Sequence, residues 1–174
     1  KKIKKNNIFV GIRGKKIDGN KFANEALKRG ASISIIDKNY GKKNTNKIEV
    51  KNSLKFFSKC SNIIRISSDI SSIAITGSSG KTSLKEMLGK SLNKIYPTTY
   101  SAKSYNNRYG VPISLFNINK GDKFGVFEVG MNKSGEIDQL TKIIKPNVGV
   151  ITNISYAHIK NFKNLNGIAK AKSE

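Results

Sequence analysis

Short apolar runs alternate with stretches of helical period along this 174-residue chain. Residues 8–12 (Ile-Phe-Val-Gly-Ile) predict a first strand, and Phe22, Ala23, Ala26 and Leu27 recur at helical spacing over 22–29. Residues 32–37 and 47–50 read as two more strands, with a polar loop over 40–46 between them. A helix follows over 53–66, with Leu54, Phe57 and Cys60 on its apolar face. The serine-rich stretch 67–72 predicts a linker. Beyond it the alternation becomes regular. Strand 73–76 leads to a helix reaching Leu92, whose predicted buried stripe is Leu84, Met87, Leu88 and Leu92. Strands are expected at 97–100, 124–129 and 148–151, and helices at 111–116, 135–144 and from 165 onward. This order predicts an α/β fold, a parallel sheet with helices on both faces preceded by a small α/β domain. The boundary is placed between domains 1–70 and 71–174.

The junction after strand 73–76 adds chemistry. Thr76-Gly77-Ser78-Ser79-Gly80-Lys81-Thr82-Ser83 is a strand running into a glycine-rich turn and then a helix that opens with Lys and Thr. Backbone N–H groups from Gly77 to Ser83, the positive end of the helix and the Lys81 ammonium all suit a nucleotide phosphate. The Thr82 hydroxyl suits a Mg²⁺ riding on it. The motif is shorter than G-x-x-x-x-G-K-[ST], because Ile stands at position 75. The plain alternative is a Gly/Ser turn ahead of an ordinary helix. With the motif, the second domain reads as a P-loop, Rossmann-like sheet that takes ATP or GTP.

Charge changes the picture less than its size suggests. Thirty-three Lys+Arg against 11 Asp+Glu give +22, which raises the alternative of a basic P-loop NTPase acting on nucleic acid. The lysines are scattered through helices, turns and strand ends, and the aromatic residues do not interleave with them as a stacking platform requires. No nucleic-acid partner is expected. The single cysteine, Cys60, excludes an internal disulfide and a Cys-based zinc site. No apolar run reaches membrane-span length, so a cytoplasmic protein without membrane insertion, and a monomer, is expected. The chain begins without Met and stops inside a helical pattern, so a fragment is expected.

Ligands of a parallel α/β sheet collect at the carboxyl ends of its strands. Glu128 ends one strand among Val126, Phe127, Val129 and Gly130, where an idle surface charge is out of place; a carboxylate beside a phosphate loop suits Mg²⁺. Asn153 and His158, the single histidine, follow another strand. A lone histidine is more often structural than catalytic. Asn106 and Asn107 stand in a polar loop where they either bond a ligand or cap the next helix. Lys170 and Lys172 lie in a lysine-rich helix, and a solvated face is their ordinary reading.

Four ordered blocks resemble the Mur ligase family of peptidoglycan synthesis. They are the 76–87 loop and helix; Asn106-Asn107 with Gly110-Val111-Pro112; Glu128-Val129-Gly130-Met131-Asn132 with Gly135-Glu136-Ile137; and Ala157-His158 through Ala169-Lys170-Ala171-Lys172. Residues 9–14 with Asp18, Gly19 and Phe22 are similar to the family's N-terminal, nucleotide-sugar-binding domain. The fit is best to the branch that adds D-Ala-D-Ala to a UDP-N-acetylmuramoyl tripeptide; another Mur ligase or a folylpolyglutamate synthase is the nearer rival. The resemblance implies an ATP- and Mg²⁺-dependent acid–amino-acid ligase working through an acyl phosphate. It implies part of the first domain, the front of the ATP domain, and no C-terminal domain. Lys81, Glu128, His158 and Lys172 become the catalytic set, with Thr82, Glu128, His158 and a carbamylated Lys172 as metal ligands. Arg13, Asp18, Gly19, Asn106 and Asn107 become substrate contacts. Lys133 departs from the family, where many members carry His.

Overall fold

The computed structural model describes residues 3–40, 45–156, 161–162 and 164–174. It divides into two compact units, 1–59 and 60–174.

The first unit is a three-stranded parallel sheet in the order β1 (Asn7–Val10), β2 (Ala31–Asp37), β3 (Lys47–Val50). Helix α1 (Ala23–Lys28) packs on β2, burying Ala23 and Ala26. A 3-10 turn over Gly19–Phe22 precedes it, capped by Asp18, whose side chain accepts from the Asn20 N–H. That turn explains why the helical pattern read from Phe22 begins one residue later, and β1 ends at Val10 rather than at residue 12.

Helix α2 (Ser53–Ser67) crosses the division between the units. Its last turns belong to the second because Arg65, 7% exposed, donates from Nη2 to Ser72 Oγ at 2.5 Å, to the Lys145 carbonyl at 3.2 Å and to Asn147 Oδ1 at 3.2 Å. Here the expected linker fails. Strand β4 (Ser71–Thr76) already starts at Ser71, Ser72 is fully buried, and Ile70 is core. Of the serines read as linker, Ser67 ends α2, and Ser71 and Ser72 are hydrogen-bonded sheet.

The second unit is a four-stranded parallel sheet in the order β5 (Thr98–Tyr100), β6 (Phe124–Glu128), β4, β7 (Val148–Ile151). Ala74 and Phe127 are register partners and share one face. That face is covered by α4 (Gly110–Leu115), α5 (Glu136–Ile144) and α6 (Leu165–Lys172), whose Val111, Leu115, Ile137, Leu140, Ile144, Ile168 and Ala171 form the core with them. Tyr100 and Val126 pair on the opposite face, where α3 (Lys81–Asn93) lies. The approach is close: a Cβ on Gly89 would stand 2.6 Å from Tyr100 Cγ.

This packing corrects the predicted stripe on α3. The helix turns its Lys81–Lys85–Gly89 row toward the sheet, because the glycine lets the backbone approach Tyr100. Lys85 is fully buried, whereas Met87 is 64% exposed; Leu84, Leu88 and Leu92 are half-buried flanks. The parallel order puts the ends of β4, β6 and β7 on one edge, where the chemistry-bearing residues gather.

Candidate functional site

The turn after β4 depends on two glycines. Gly77 has φ +145° and a Cβ there would fall 1.8 Å from Thr152 Oγ1; Gly80 has φ +77° at the start of α3. No side chain caps α3, so its first-turn N–H groups keep their donor capacity and their positive dipole end for an anion. Lys81 folds back over the turn, with Nζ donating to the Gly77 carbonyl at 2.8 Å.

The segment after β7 clasps this turn. Ser78 N–H donates to the Asn153 carbonyl at 2.9 Å and Ser79 N–H to Asn153 Oδ1 at 3.1 Å, while Asn153 Nδ2 donates to Ser79 Oγ at 2.9 Å. Thr152 Oγ1 donates to the Ser79 carbonyl at 2.6 Å, and Ser155 N–H to Ser78 Oγ at 2.8 Å. Thr152 and Ser155 carry no sequence signal beyond following a strand. Ser83 stands exposed in the first turn of α3.

Glu128, at the end of β6, is 1% exposed. Thr82 Oγ1 donates to its Oε2 at 2.8 Å and Asn106 Nδ2 to its Oε1 at 2.7 Å. The carboxylate therefore stands against the first turn of α3 and is not an idle surface charge. The two asparagines part company here. Asn106 reaches Glu128, whereas Asn107 Oδ1 accepts from the Tyr109 and Gly110 N–H groups at the start of α4, as a cap does. Ser104 Oγ lies 3.4 Å from Thr82 Oγ1.

On α6 the two lysines separate as well. Lys170 is exposed, but Lys172 is 4% exposed and has no hydrogen bond or ion pair among the described residues. Burial pulls its pKa down to about 8, and the like charge of Lys81 adds to the shift. A solvated face is thus the wrong reading for Lys172. His158 lies outside the described residues.

A nucleotide with its cation fits what is present. The space beside Gly80 is open, with no heavy atom within 4 Å of a Cβ built there, the α3 amino terminus is uncapped, and hydroxyl and carboxylate oxygens of Thr82 and Glu128 form a hard-donor pair. No group of three His, Cys, Asp or Glu that could hold a metal occurs among the described residues, so a cation there would complete its shell from phosphate and water.

The first unit holds a separate cluster. Arg13 and Tyr40 hydrogen-bond, Tyr40 donates to Asp18, and Arg13 Nε lies 3.4 Å from Asp18 Oδ2. The Tyr40 hydrogen bond holds the Asp18 carboxyl at about 2. Asn20 links Asp18 to Asp37, and Gly19 packs so closely that a Cβ would meet the Ile12 carbonyl oxygen at 2.7 Å. Arg13, Asp18 and Gly19 are therefore neighbours, while Tyr40, read as the start of a polar loop, is an unforeseen member. Lys133, where the family pattern is broken, is exposed and its N–H bonds Glu136.

Comparison with known proteins bears on this geometry. The family model described as the Mur ligase middle domain matches residues 75–174. A UDP-N-acetylmuramoyl-tripeptide–D-alanyl-D-alanine ligase of Buchnera aphidicola subsp. Baizongia pistaciae is 39% identical over 175 aligned residues, covering 100% of this chain and 38% of the relative. A solved MurF structure from Acinetobacter baumannii superposes with TM-score 0.91 at 32% identity, covering 98% of this chain and 38% of that one. A MurF ligase from Thermotoga maritima in complex with ADP superposes with TM-score 0.88 at 30% identity, covering 98% and 40%. The chain thus spans less than half the length of the relatives it matches.

Proposed function

Since this chain belongs to the Mur ligase family, with a Mur ligase middle domain over residues 75–174, we propose that the protein carrying it joins D-Ala-D-Ala to a UDP-N-acetylmuramoyl tripeptide, using ATP and Mg²⁺, in the cytoplasm. The observation that carries the reading is the meeting of the Thr82 hydroxyl and the buried Glu128 carboxylate at 2.8 Å, beside the glycine turn and Lys81. The ligase activity for which the Buchnera relative is named and the ADP in the Thermotoga structure support it.

In this reading ATP supplies the phosphoryl group that turns the tripeptide's terminal carboxylate into an acyl phosphate open to amine attack. The chain's own part is positioning and charge. Lys81 and the first-turn N–H groups of α3 would hold the phosphates and offset charge as it develops. Thr82 and Glu128 would hold Mg²⁺ through hard oxygens, with Asn106 orienting the carboxylate from behind. Burial keeps a fraction of Lys172 neutral near pH 8, and a neutral amine can add CO₂ and lose a proton to become a carbamate. That anion would replace a repulsive ammonium beside Lys81 with an attractive group. His158 would join the metal ligands, and Arg13, Asp18, Gly19 and Asn107 would serve substrate binding.

The test is ligation by the full-length gene product, read as dipeptide-dependent phosphate release and as the pentapeptide product. Lys81→Ala and Glu128→Ala should each reduce turnover by about 10²-fold or more. Ligation that survives both changes removes the site assignment. Preference for a different amine substrate would move the protein to another branch of the family. ATP hydrolysis that responds to DNA and ignores the peptide substrates would overturn the reading altogether.

A further inference from the structure

We infer that Lys85 is a positioning residue that ties α3 to the 101–106 turn and thereby sets the orientation of the Glu128 carboxylate. Its side chain is fully buried, which for an unpaired ammonium would be prohibitive. All three of its donors are used: Nζ bonds Glu86 Oε1 at 2.6 Å, the Ser101 carbonyl at 2.7 Å and the Lys103 carbonyl at 3.0 Å. An apolar residue would suffice if this face of α3 only needed to pack. The lysine instead spends its donors on backbone oxygens of a turn that has no strand or helix of its own.

That turn leads directly to the candidate site. Ser101 Oγ accepts from the Glu128 N–H at 3.3 Å, and Ser101 N–H donates to the Val126 carbonyl at 3.0 Å. Lys103 sits at φ +52°, a left-handed conformation that a non-glycine residue keeps only when its surroundings impose it. The bond from Lys85 to the Lys103 carbonyl is such an imposition. Immediately after come Ser104, facing Thr82, and Asn106, facing Glu128; the Asn106 carbonyl also accepts from Gly130 N–H at 2.7 Å. Lys81, Thr82 and Lys85 lie on successive turns of one helix. The helix that bears the phosphate contacts therefore also anchors the turn that aims the carboxylate.

The inference rests on the reading of Thr82 and Glu128 as a Mg²⁺–nucleotide site, and its test separates the two. ADP affinity of the full-length protein is measured by calorimetry with MgCl₂ and with EDTA, well below each variant's melting temperature. The wild type should bind ADP more tightly with Mg²⁺; equal affinities would remove the underlying reading and this inference with it. Given that difference, Lys85→Met should lower the Mg²⁺ enhancement by about 10-fold and leave the affinity in EDTA unchanged. Asn106→Ala should do the same, and the double variant should lose little more than either one. An undiminished Mg²⁺ enhancement in Lys85→Met, or full additivity with Asn106→Ala, would show a purely structural lysine and overturn the inference. Where Lys85→Met does not fold, Lys85→Gln, which keeps N–H donors for the carbonyls, is measured instead. It should show a smaller loss in the same direction, and no loss is again a refutation.

Discussion

Lys85 on α3 and Lys172 on α6 are both withdrawn from water, at 0% and 4% exposure, yet their surroundings are opposites. Lys85 meets two carbonyls and a carboxylate, enough to satisfy every proton it carries. Lys172 meets no acceptor among the described residues and feels the like charge of Lys81. The first arrangement stabilises the ammonium; the second penalises it. Burial of a charge therefore does not by itself mark chemistry. A buried charge with few acceptors around it is the better candidate for chemistry, because its packing disfavours the charged form.

The largest effect expected from this contrast is on activity. Lys172→Met should reduce ligation by about 10²–10³-fold while leaving the melting temperature equal or higher, since it removes a desolvation cost and no hydrogen bond to the described residues. Ligation assay and scanning calorimetry together decide it, and a variant that is active, or one that melts early, would make the two lysines equivalent. Lys85→Met should invert the pattern in stability, costing about 2–4 kcal/mol because it strands the buried Ser101 carbonyl and the part-buried Lys103 carbonyl. Chemical denaturation of the full-length protein measures that loss. A cost near zero would mean the turn is held by other bonds.

The contrast was only partly legible in the amino-acid sequence, for physical reasons. Buried parallel strands are continuous apolar runs, so β4 and β6 stood out, and the glycine turn with Lys81 and Thr82 suggested a nucleotide. Strand β7 reads as buried by the same rule but is an edge strand with Val148 and Ile151 exposed. Glu128 was readable as an acid out of place among apolar neighbours. Lys85 was not, because one more lysine in a chain with 33 basic residues carries no signal and leucines are the natural choice for a buried stripe. Gly89 held the missing clue: the row that packs closest is the one with the smallest residue, and Lys85 lies one turn before it on that row. Ser72 misled likewise, since only its pairing with Gly125 of β6 and its burial under Arg65 show that it is sheet and not linker. Lys172 was distinguished from Lys170 by family resemblance alone until packing buried the one and exposed the other.

A smaller effect tests whether the Lys172 side of the site owes its order to hydrogen bonds, as the Lys85 side does. Asn153→Ala removes a side chain that accepts from Ser79 N–H and donates to Ser79 Oγ. It should cost about 1–2 kcal/mol and weaken ADP binding, because the turn loses part of its clasp. Chemical denaturation reads the first consequence and calorimetric titration with ADP the second. Unchanged affinity would mean that the turn keeps its shape through Thr152, Ser155 and the Asn153 carbonyl.

The smallest expected effect is a pH dependence that belongs to Lys172. Unfolded, its amine holds a proton up to the ordinary value of 10.5; folded, it releases it at about 8. Below pH 8 both states carry the proton and the burial cost is fully present. Between these values the folded state binds fewer protons than the unfolded one, so Lys172 contributes stability that rises with pH across the window. From pH 8 to 9 the gain is about 1 kcal/mol at most, reduced by solvent screening. Comparing wild type with Lys172→Met in CO₂-free buffer isolates it, because the other titrating groups cancel. The wild-type curve should climb relative to the variant, and added bicarbonate should raise it further by trapping the neutral amine as a carbamate. Parallel curves would give Lys172 an ordinary amine pKa and mean that its packing places no cost on the charge.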